Sequence, residues 1–399
     1  MSGTAPLPLE GVRVLEFCHT IMGPSAGMLL ADLGADVVKI ESAPEGDNTR
    51  RLQGFASGFF FAFNRNKRSL AVDLKSAEGK DLVYRLIADT DVVLENFGPG
   101  TMDRLGCGYA DFSRRNERLI YCALKGFLSG PYEHRPALDE VVQYMAGLAY
   151  MTGEPGRPLR AGASVIDIMG GMFAVIGVQA ALRERERTGK GQFVKSALFE
   201  STAFLMTQHM AGQAVTGRPP PPMPAREGAW GIYETFKTAE GELIFIGLTS
   251  DNHWRRFCHH LQRSDLLDNP KYANNQHRVK ERASIRPVVA ECVARHTLAE
   301  LTELFDRIGI PFAPVAKPGD LFEDPQLNAG GRMLEVAFKD GVRAKIPRIP
   351  LEMGAHDMGL RRQAPAIGQH SDEVLREAGL PEAEVAALHA KGIISGPAK

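Results

Sequence analysis

Over its first 200 residues the chain alternates short β-branched runs with longer stretches of helical period, and this alternation restricts the architecture more than any other feature. V-R-V-L-E-F (12–17), D-V-V-K-I-E (36–41), S-L-A-V-D-L-K (69–75), D-V-V-L-E-N-F (91–97) and L-I-Y-C-A-L-K-G-F (119–127) read as strands, with helices over Ala26–Leu33 and Ala77–Ala88 between them. Strands separated by helices cannot close hairpins. They cross over, lie parallel, and leave helices on both faces of the sheet, so the expected class is α/β with a largely parallel sheet. Ligands of such sheets bind at the carboxyl ends of the strands. His19 and Gly23, Lys75, Asn96 to Gly98, and Lys125 with Gly126 follow four of these strands and mark one edge as a binding crevice.

The proline run G-R-P-P-P-P-M-P (217–224) favours an extended, semi-rigid connection and excludes helix or central strand. Beyond it, G-I-Y-E-T-F-K-T and L-I-F-I-G-L flank A-E-G-E as a hairpin, and helical patterns over Asn252–Leu261 and Arg278–Arg295 complete a smaller α+β unit. A second hairpin is expected around Asp340-Gly341, a pair suited to positive φ, and two helices, Ser371–Ala378 and Pro381–His389, close the chain. The expected layout is a large domain over 1–200, a linker over 201–227, a small domain over 228–325, and a return to the large domain over 326–399.

Forty-seven basic residues nearly balance 48 acidic ones, for a net charge of −1, so no global field draws the protein to nucleic acid or an anionic membrane. The five cysteines are scattered and form no C-x-x-C pair, which fits reduced thiols in the cytoplasm. The amino terminus carries neither a basic start nor an apolar core, and no segment is expected to reach a spanning length free of charge. T-G-K-G-Q (188–192) lacks P-loop spacing, and N-F-G-P-G-T-M-D-R-L-G (96–106) does not match G-x-G-x-x-G. Cys258, His259 and His260 are adjacent and cannot easily share one ion, so no metal is expected. Lys67–Ser69, with Arg65, read either as a solvated turn or as a phosphate contact on the ligand side.

With these chemistries set aside, Asp167 in D-I-M-G-G-M stands out. It opens a helical pattern that continues to Arg187, which resembles an N-cap position where a carboxylate accepts backbone N–H bonds. Gly170 and Gly171 remove side-chain bulk one turn later, for close helix packing or for a ligand.

Several segments together identify the chain as similar to a known family. They are P-L-E-G-V-R-V-L-E-F, G-P-S-A-G-M-L-L-A-D-L-G-A-D-V-V-K-I-E, N-R-N-K-R-S-L-A-V-D-L-K, E-N-F-G-P-G-T-M-D-R-L-G, D-I-M-G-G-M with T-G-K-G-Q, and I-G-Q-H-S-D-E-V-L. The pattern resembles the family III CoA-transferases (CaiB/BaiF), of which formyl-CoA transferase is a member, over nearly the whole chain. The resemblance implies a large Rossmann-like domain built from both chain ends, a small inserted domain, and an interlocked homodimer. It also implies that Asp167 is a nucleophile that attacks an acyl-CoA thioester. The chemistry then passes through an aspartyl anhydride and an aspartyl-CoA thioester to a carboxylic acid acceptor, with CoA as substrate and no tightly bound cofactor. An aspartate in this role is expected to be ionised near neutral pH, favoured by helix N-terminal amides.

Matching positions imply CoA contacts at Val72, Asp73, Leu74 and Lys75, at Asn96, Phe97 and Gly98, and at Arg104, with Ile21–Met22 and Leu138–Asp139 also in the binding site. Formyl-CoA transferase has glutamine where this chain has Ile21 and tyrosine-glutamate where it has Leu138-Asp139; its glycine-rich lid has no counterpart, E-G-A-W-G-I-Y-E-T-F being the nearest segment. Formate and oxalate are therefore not the expected substrates. The family precedent and the basic residues Arg65, Arg160 and Arg226 favour succinyl-CoA with a small dicarboxylate. An α-methylacyl-CoA racemase is the alternative enzyme, but its partner histidine is replaced by Leu138, which accepts no proton. A CoA-binding protein in which Asp167 is only a helix cap is the non-enzymatic alternative.

Overall fold

Six parallel strands, β1 (Arg13–Phe17), β2 (Asp36–Ser42), β3 (Arg68–Val72), β4 (Val92–Glu95), β5 (Ile120–Lys125) and β6 (Phe193–Ala197), lie in the order β3-β2-β1-β4-β5-β6. A final short strand, Ile394–Ser395, adds antiparallel to the free side of β3 and ties the chain end to the sheet. These elements belong to a computed structural model that describes residues 6–226 and 228–396. All residues of β3 and β4 are buried, as are Val14 to Phe17 of β1, because helices cover both faces. That two-sided burial is why these strands read as continuous β-branched runs rather than alternating ones.

One face packs Val14, Ala26, Leu30, Val92, Ile120, Ala174 and Val178 into a core under the helices Met22–Asp32 and Val165–Thr188. The other packs Phe17, Val83, Val93, Phe112, Tyr121, Leu375 and Leu388 under the helices Ala77–Ile87, Ser371–Glu377 and Glu382–Ala390. The Val165–Thr188 helix is long and apolar enough to cross a membrane by length and composition, although Asp167 and the charged residues from Arg183 onward leave it no uncharged run of spanning length. Its apolarity has a local use, since Ile166, Ala174, Val175 and Val178 join the sheet core and Met169 packs against it.

The glycine pair serves helix contact. A Cβ on Gly171 would fall 2.2 Å from Ser25 Oγ and 2.8 Å from the Met22 carbonyl oxygen, and one on Gly170 would fall 2.5 Å from Met22 Cε. The two helices therefore meet almost backbone to backbone. Gly171→Ala is expected to cost about 1–3 kcal/mol through overpacking against main-chain atoms. Urea denaturation checks this, and a loss well below 1 kcal/mol would show that the helices separate freely.

The chain divides into two compact units, one formed by residues up to Pro224 with those from Pro325 onward, the other by Ala225–Asp324. Much of the stretch anticipated as a linker over 201–227 is helical, in Leu198–Leu205 and Thr207–Thr216, which ends on left-handed Gly217, and again in the short turn Met223–Ala225. In the second unit, β7 (Ile232–Lys237), β8 (Leu243–Leu248) and β9 (Phe312–Pro314) form an antiparallel sheet packed by Trp254, Phe257, Ile285, Val289 and Phe305. The helix expected over 278–295 is instead two, Asn275–Lys280 and Arg282–Val293, broken where Glu281 leaves helical geometry at φ −94° and ψ 18°. The hairpin at Asp340-Gly341 forms between β10 (Met333–Ala337) and β11 (Arg343–Pro347), with both turn residues at positive φ.

Candidate active site

β1 and β4 are sheet neighbours, but the chain leaves β1 toward β2 on one side and leaves β4 toward β5 on the other. This reversal opens a crevice at their carboxyl ends, the usual ligand position in open parallel sheets. Asn96, just past β4, clamps the segment just past β1. Its Oδ1 accepts the His19 N–H at 2.9 Å and its Nδ2 donates to the His19 carbonyl at 2.8 Å. Lys125, at the end of β5, is held by Glu95 at 2.6 Å and donates to the Phe97 carbonyl at 2.8 Å, fixing the N-F-G turn against the same edge.

A cavity of about 570 Å³ occupies the crevice. Ile21, Met22, Asn96, Phe97, Gly98, Leu138, Asp139 and Asp167, all anticipated site residues, line it together. Val72, Asp73, Leu74, Lys75 and Arg104 do not. Val72 is buried in the sheet, the Asp73 N–H is taken by the Ile393 carbonyl, and Leu74 packs on the core, while Arg104 donates to Thr101 Oγ1 at 2.9 Å. These residues share the carboxyl edge of the sheet, since β3 is parallel to β1 and β4, but lie outside this cavity. Phe55, Phe59, His134, Arg135 and Ser164 also line it and were not anticipated. Phe55, Phe59, His134 and Arg135 lie too far from Asp167 in the chain for a local motif to show them, and Ser164, three residues before it, carries no signal of its own.

Asp167 is not the N-cap it was expected to be. The helix starts at Val165, and its first-turn amides are capped from elsewhere in the chain. Asp139 Oδ2 accepts the Ile166 N–H at 2.9 Å and the Asp167 N–H at 3.0 Å. Gln143 donates to the other Asp139 oxygen and accepts the Ala161 N–H at 2.9 Å, so the buried Asp139 is locked in place. The Asp167 carboxyl is thereby left to face the cavity.

Burial pushes the Asp167 carboxyl up to about 7, the neighbouring Asp139 carboxylate adds to the shift, and Arg160 opposes it. The expectation of a carboxylate held ionised by helix amides is thus corrected, because Asp139 consumes those amides. A group titrating near neutrality still offers a large anionic fraction, with more basicity than a solvated aspartate.

Arg160 lines the same cavity, paired to Glu140 at 2.7 Å and donating to the Ala163 carbonyl at 3.2 Å, while its buried Nε meets no acceptor. Arg65 is withdrawn from any ligand by its bidentate pairing to buried Asp32, at 2.6 Å for the shorter contact. Among the described residues no set of three His, Cys, Asp or Glu side chains converges as metal ligands.

Residues 9–371 match the family model for CoA-transferase family III. The chain belongs to the family III CoA-transferases. It is 34% identical over 382 residues to a succinate–glutarate CoA-transferase of Agrobacterium fabrum, covering 93% of this chain and 95% of the relative. It is 33% identical to a succinyl-CoA:glutarate CoA-transferase of Mus musculus, covering 93% and 86%. A crystal structure of a CaiB/BaiF family protein from Brucella suis superposes with a TM-score of 0.85 at 33% identity, covering 94% of this chain and all of that one. As a family III CoA-transferase, the protein moves CoA between an acyl-CoA thioester and a carboxylic acid.

Proposed function

We propose that the enzyme transfers CoA from succinyl-CoA to a small dicarboxylic acid, with Asp167 as the covalent nucleophile. The observation that carries this reading is Asp167 itself, presented to the crevice with its carboxyl raised to about 7 while Asp139 satisfies the helix amides around it. An ionised Asp167 oxygen attacks the thioester carbonyl, the C–S bond breaks, and CoA leaves as thiolate, giving a mixed anhydride. The thiolate then attacks the aspartyl carbonyl, releasing the donor acid and forming an aspartyl-CoA thioester. The acceptor carboxylate displaces CoA from that thioester, and the returning thiolate takes the acceptor acyl group and frees Asp167. Each step conserves the activated acyl bond, provided water is kept from it.

CoA enters as a substrate, and no tightly bound cofactor is needed by this chemistry. Ile21, Met22, Asn96, Phe97, Gly98 and Leu138 are positioned to surround the thioester end, and Val72–Lys75 and Arg104 remain assigned to the distant nucleotide end on the same sheet edge. Leucine at 138 offers no proton acceptor, which disfavours the racemase reading.

Arg160 is the group that favours a dicarboxylate, because it is a cation lining the cavity close enough to Asp167 to oppose the rise of its carboxyl. The relatives' names, with succinate and glutarate, point the same way. An acceptor panel with succinyl-CoA tests this: dicarboxylates of four to six carbons should exchange, and monocarboxylates of equal length should not. Arg160→Met should raise KM for the dicarboxylate about 10- to 100-fold, the worth of a charge-assisted hydrogen bond, with little change for the acyl-CoA. Equal use of monocarboxylates would sink the assignment.

The reading also includes a homodimer and a cytoplasmic setting. The exposed Ile168, Met172, Ile176, Phe204, Met210 and Val215 form an apolar series along consecutive helices that a second copy would cover. The five free, buried cysteines suit a reducing compartment. A monomer at micromolar concentration in sedimentation velocity would overturn the dimer.

A further inference from the structure

Lys67 and Arg68, read from the sequence as a solvated turn or a phosphate contact, are buried with their neighbours Asn64, Asn66 and Ser69. Arg68 pairs with Asp36, Glu373 and Glu377, tying the Ser371–Glu377 helix to the sheet. Lys67 does something different. Its ammonium meets three acceptors: Glu16 Oε2 at 2.6 Å, the Pro24 carbonyl at 2.9 Å and Asn64 Oδ1 at 2.9 Å. Lys39 sits on the other oxygen of Glu16 at 3.1 Å, donates to the Cys18 carbonyl at 2.6 Å, and pairs with Asp47 at 2.9 Å. Asp47 in turn accepts the Thr49 hydroxyl at 2.6 Å, and Thr49 Oγ1 accepts the Thr20 N–H at 3.0 Å. Three arms of this cluster end on the main chain of one segment, Cys18–Pro24, at the Cys18 and Pro24 carbonyls and the Thr20 N–H, while the fourth runs through Asn64 to the Phe60 carbonyl.

That segment forms the cavity wall at His19, Thr20, Ile21 and Met22. Its geometry is not one the chain adopts unaided. Thr20 is β-branched yet sits at φ +66°, a conformation that costs of order 1–3 kcal/mol and persists only when the surroundings impose it. Gly27 is required for the same arrangement, since a Cβ there would lie 1.8 Å from Glu16 Oε2. Glu16, Lys39 and Lys67 are fully buried, and well-packed apolar side chains in place of such ion pairs are often neutral or stabilising. Stability therefore does not account for the cluster. What it supplies is a fixed set of donors that apolar residues could not provide.

We infer that Lys67 and Lys39 are positioning residues, holding the Cys18–Pro24 main chain in the shape that walls the acyl site opposite Asp167. This rests on Asp167 as the nucleophile. The link to that residue is short, because the Met22 side chain seats against Gly170, one turn along the helix that carries Asp167. Protonation matters to the device, since only the ammonium can pair in charge with Glu16 while donating to the Pro24 carbonyl and Asn64. Burial draws Lys67 down to about 8, with Glu16 opposing and Lys39 adding to the fall. The groups facing it are Glu16 and Cys18 from β1 and its end, Lys39 from β2, and Asn64.

The test is steady-state kinetics on the full chain with Lys67→Met and with the charge-balanced pair Glu16→Gln/Lys67→Met, beside calorimetric titration with CoA. Expected for both is a kcat reduced roughly a hundredfold, as for a misplacement of about 1 Å, with the CoA Kd within threefold of the parent. In the unsubstituted enzyme, kcat should fall as pH rises above about 8. A folded double variant with kcat within threefold of the parent would overturn the inference. If neither variant folds, the parent's pH profile decides, and a flat kcat from pH 7.5 to 10 would equally overturn it. Failure of the nucleophile reading looks different: the unsubstituted enzyme itself would form no aspartyl adduct.

Discussion

Asp167→Ala is expected to lower kcat for CoA exchange by at least ~10⁴-fold, the scale seen when a covalent nucleophile is removed, while CoA still binds. The side chain is small and faces the crevice, and the helix amides around it are satisfied by Asp139, so the variant should fold normally. Intact-protein mass spectrometry gives the direct reading. Incubation with succinyl-CoA and hydroxylamine should leave a modification at Asp167 in the parent and none in the variant. A variant that kept more than about one per cent of parental kcat would show that the carboxyl is a spectator. A parent that gave no adduct with any acyl-CoA would remove the covalent route altogether.

The second large effect concerns pH. Only the ionised Asp167 can attack, and burial with the Asp139 charge holds its carboxyl at about 7. Activity should therefore rise through that value to its maximum, ahead of the decline above about 8 expected from Lys67, and fall about tenfold per unit below it. Asp139→Asn removes the neighbouring negative charge while keeping an oxygen for the helix amides. The Asp167 carboxyl must then move down from about 7, and the acid limb of kcat shifts to lower pH. The plateau rate should fall as well, since a less basic carboxylate is a weaker nucleophile. Asp139→Ala adds the loss of a cap, roughly 0.5–2 kcal/mol, visible as a lower Tm. An acid limb that stays in place in Asp139→Asn would mean that Asp139 does not set the charge state of Asp167.

The sheet was readable from the sequence where burial is two-sided. β1 to β5 announce themselves because all but their end residues are buried between the helix layers. β6 was not, for its F-V-K-S-A carries a lysine and an exposed Phe193 at the edge, and the two-residue closing strand is too short to leave a pattern. The break at Glu281 was invisible because the helical period runs on across it. In the site, Asp167 stood out as a carboxylate beside paired glycines. Asp139 was placed in the site by the resemblance alone, and its capping of the Asp167 helix was not legible, since the two lie 28 positions apart and only the fold brings them together. The run Arg65–Arg68 misled for the same reason. Four successive polar residues look like a surface turn until Asp32, Asp36 and Glu16, all distant in the chain, arrive to pair with three of them.

The apolar Val165–Thr188 helix also bears on how the protein is made. A segment able to span a bilayer is hazardous while it waits in water, yet in this chain it follows five of the six parallel strands and the first helix it packs against. A protein folding as it leaves the ribosome meets this helix with most of its resting place already synthesised. The order of elements along the chain thus acts as a safeguard during translation, independent of anything the helix contributes to the finished enzyme.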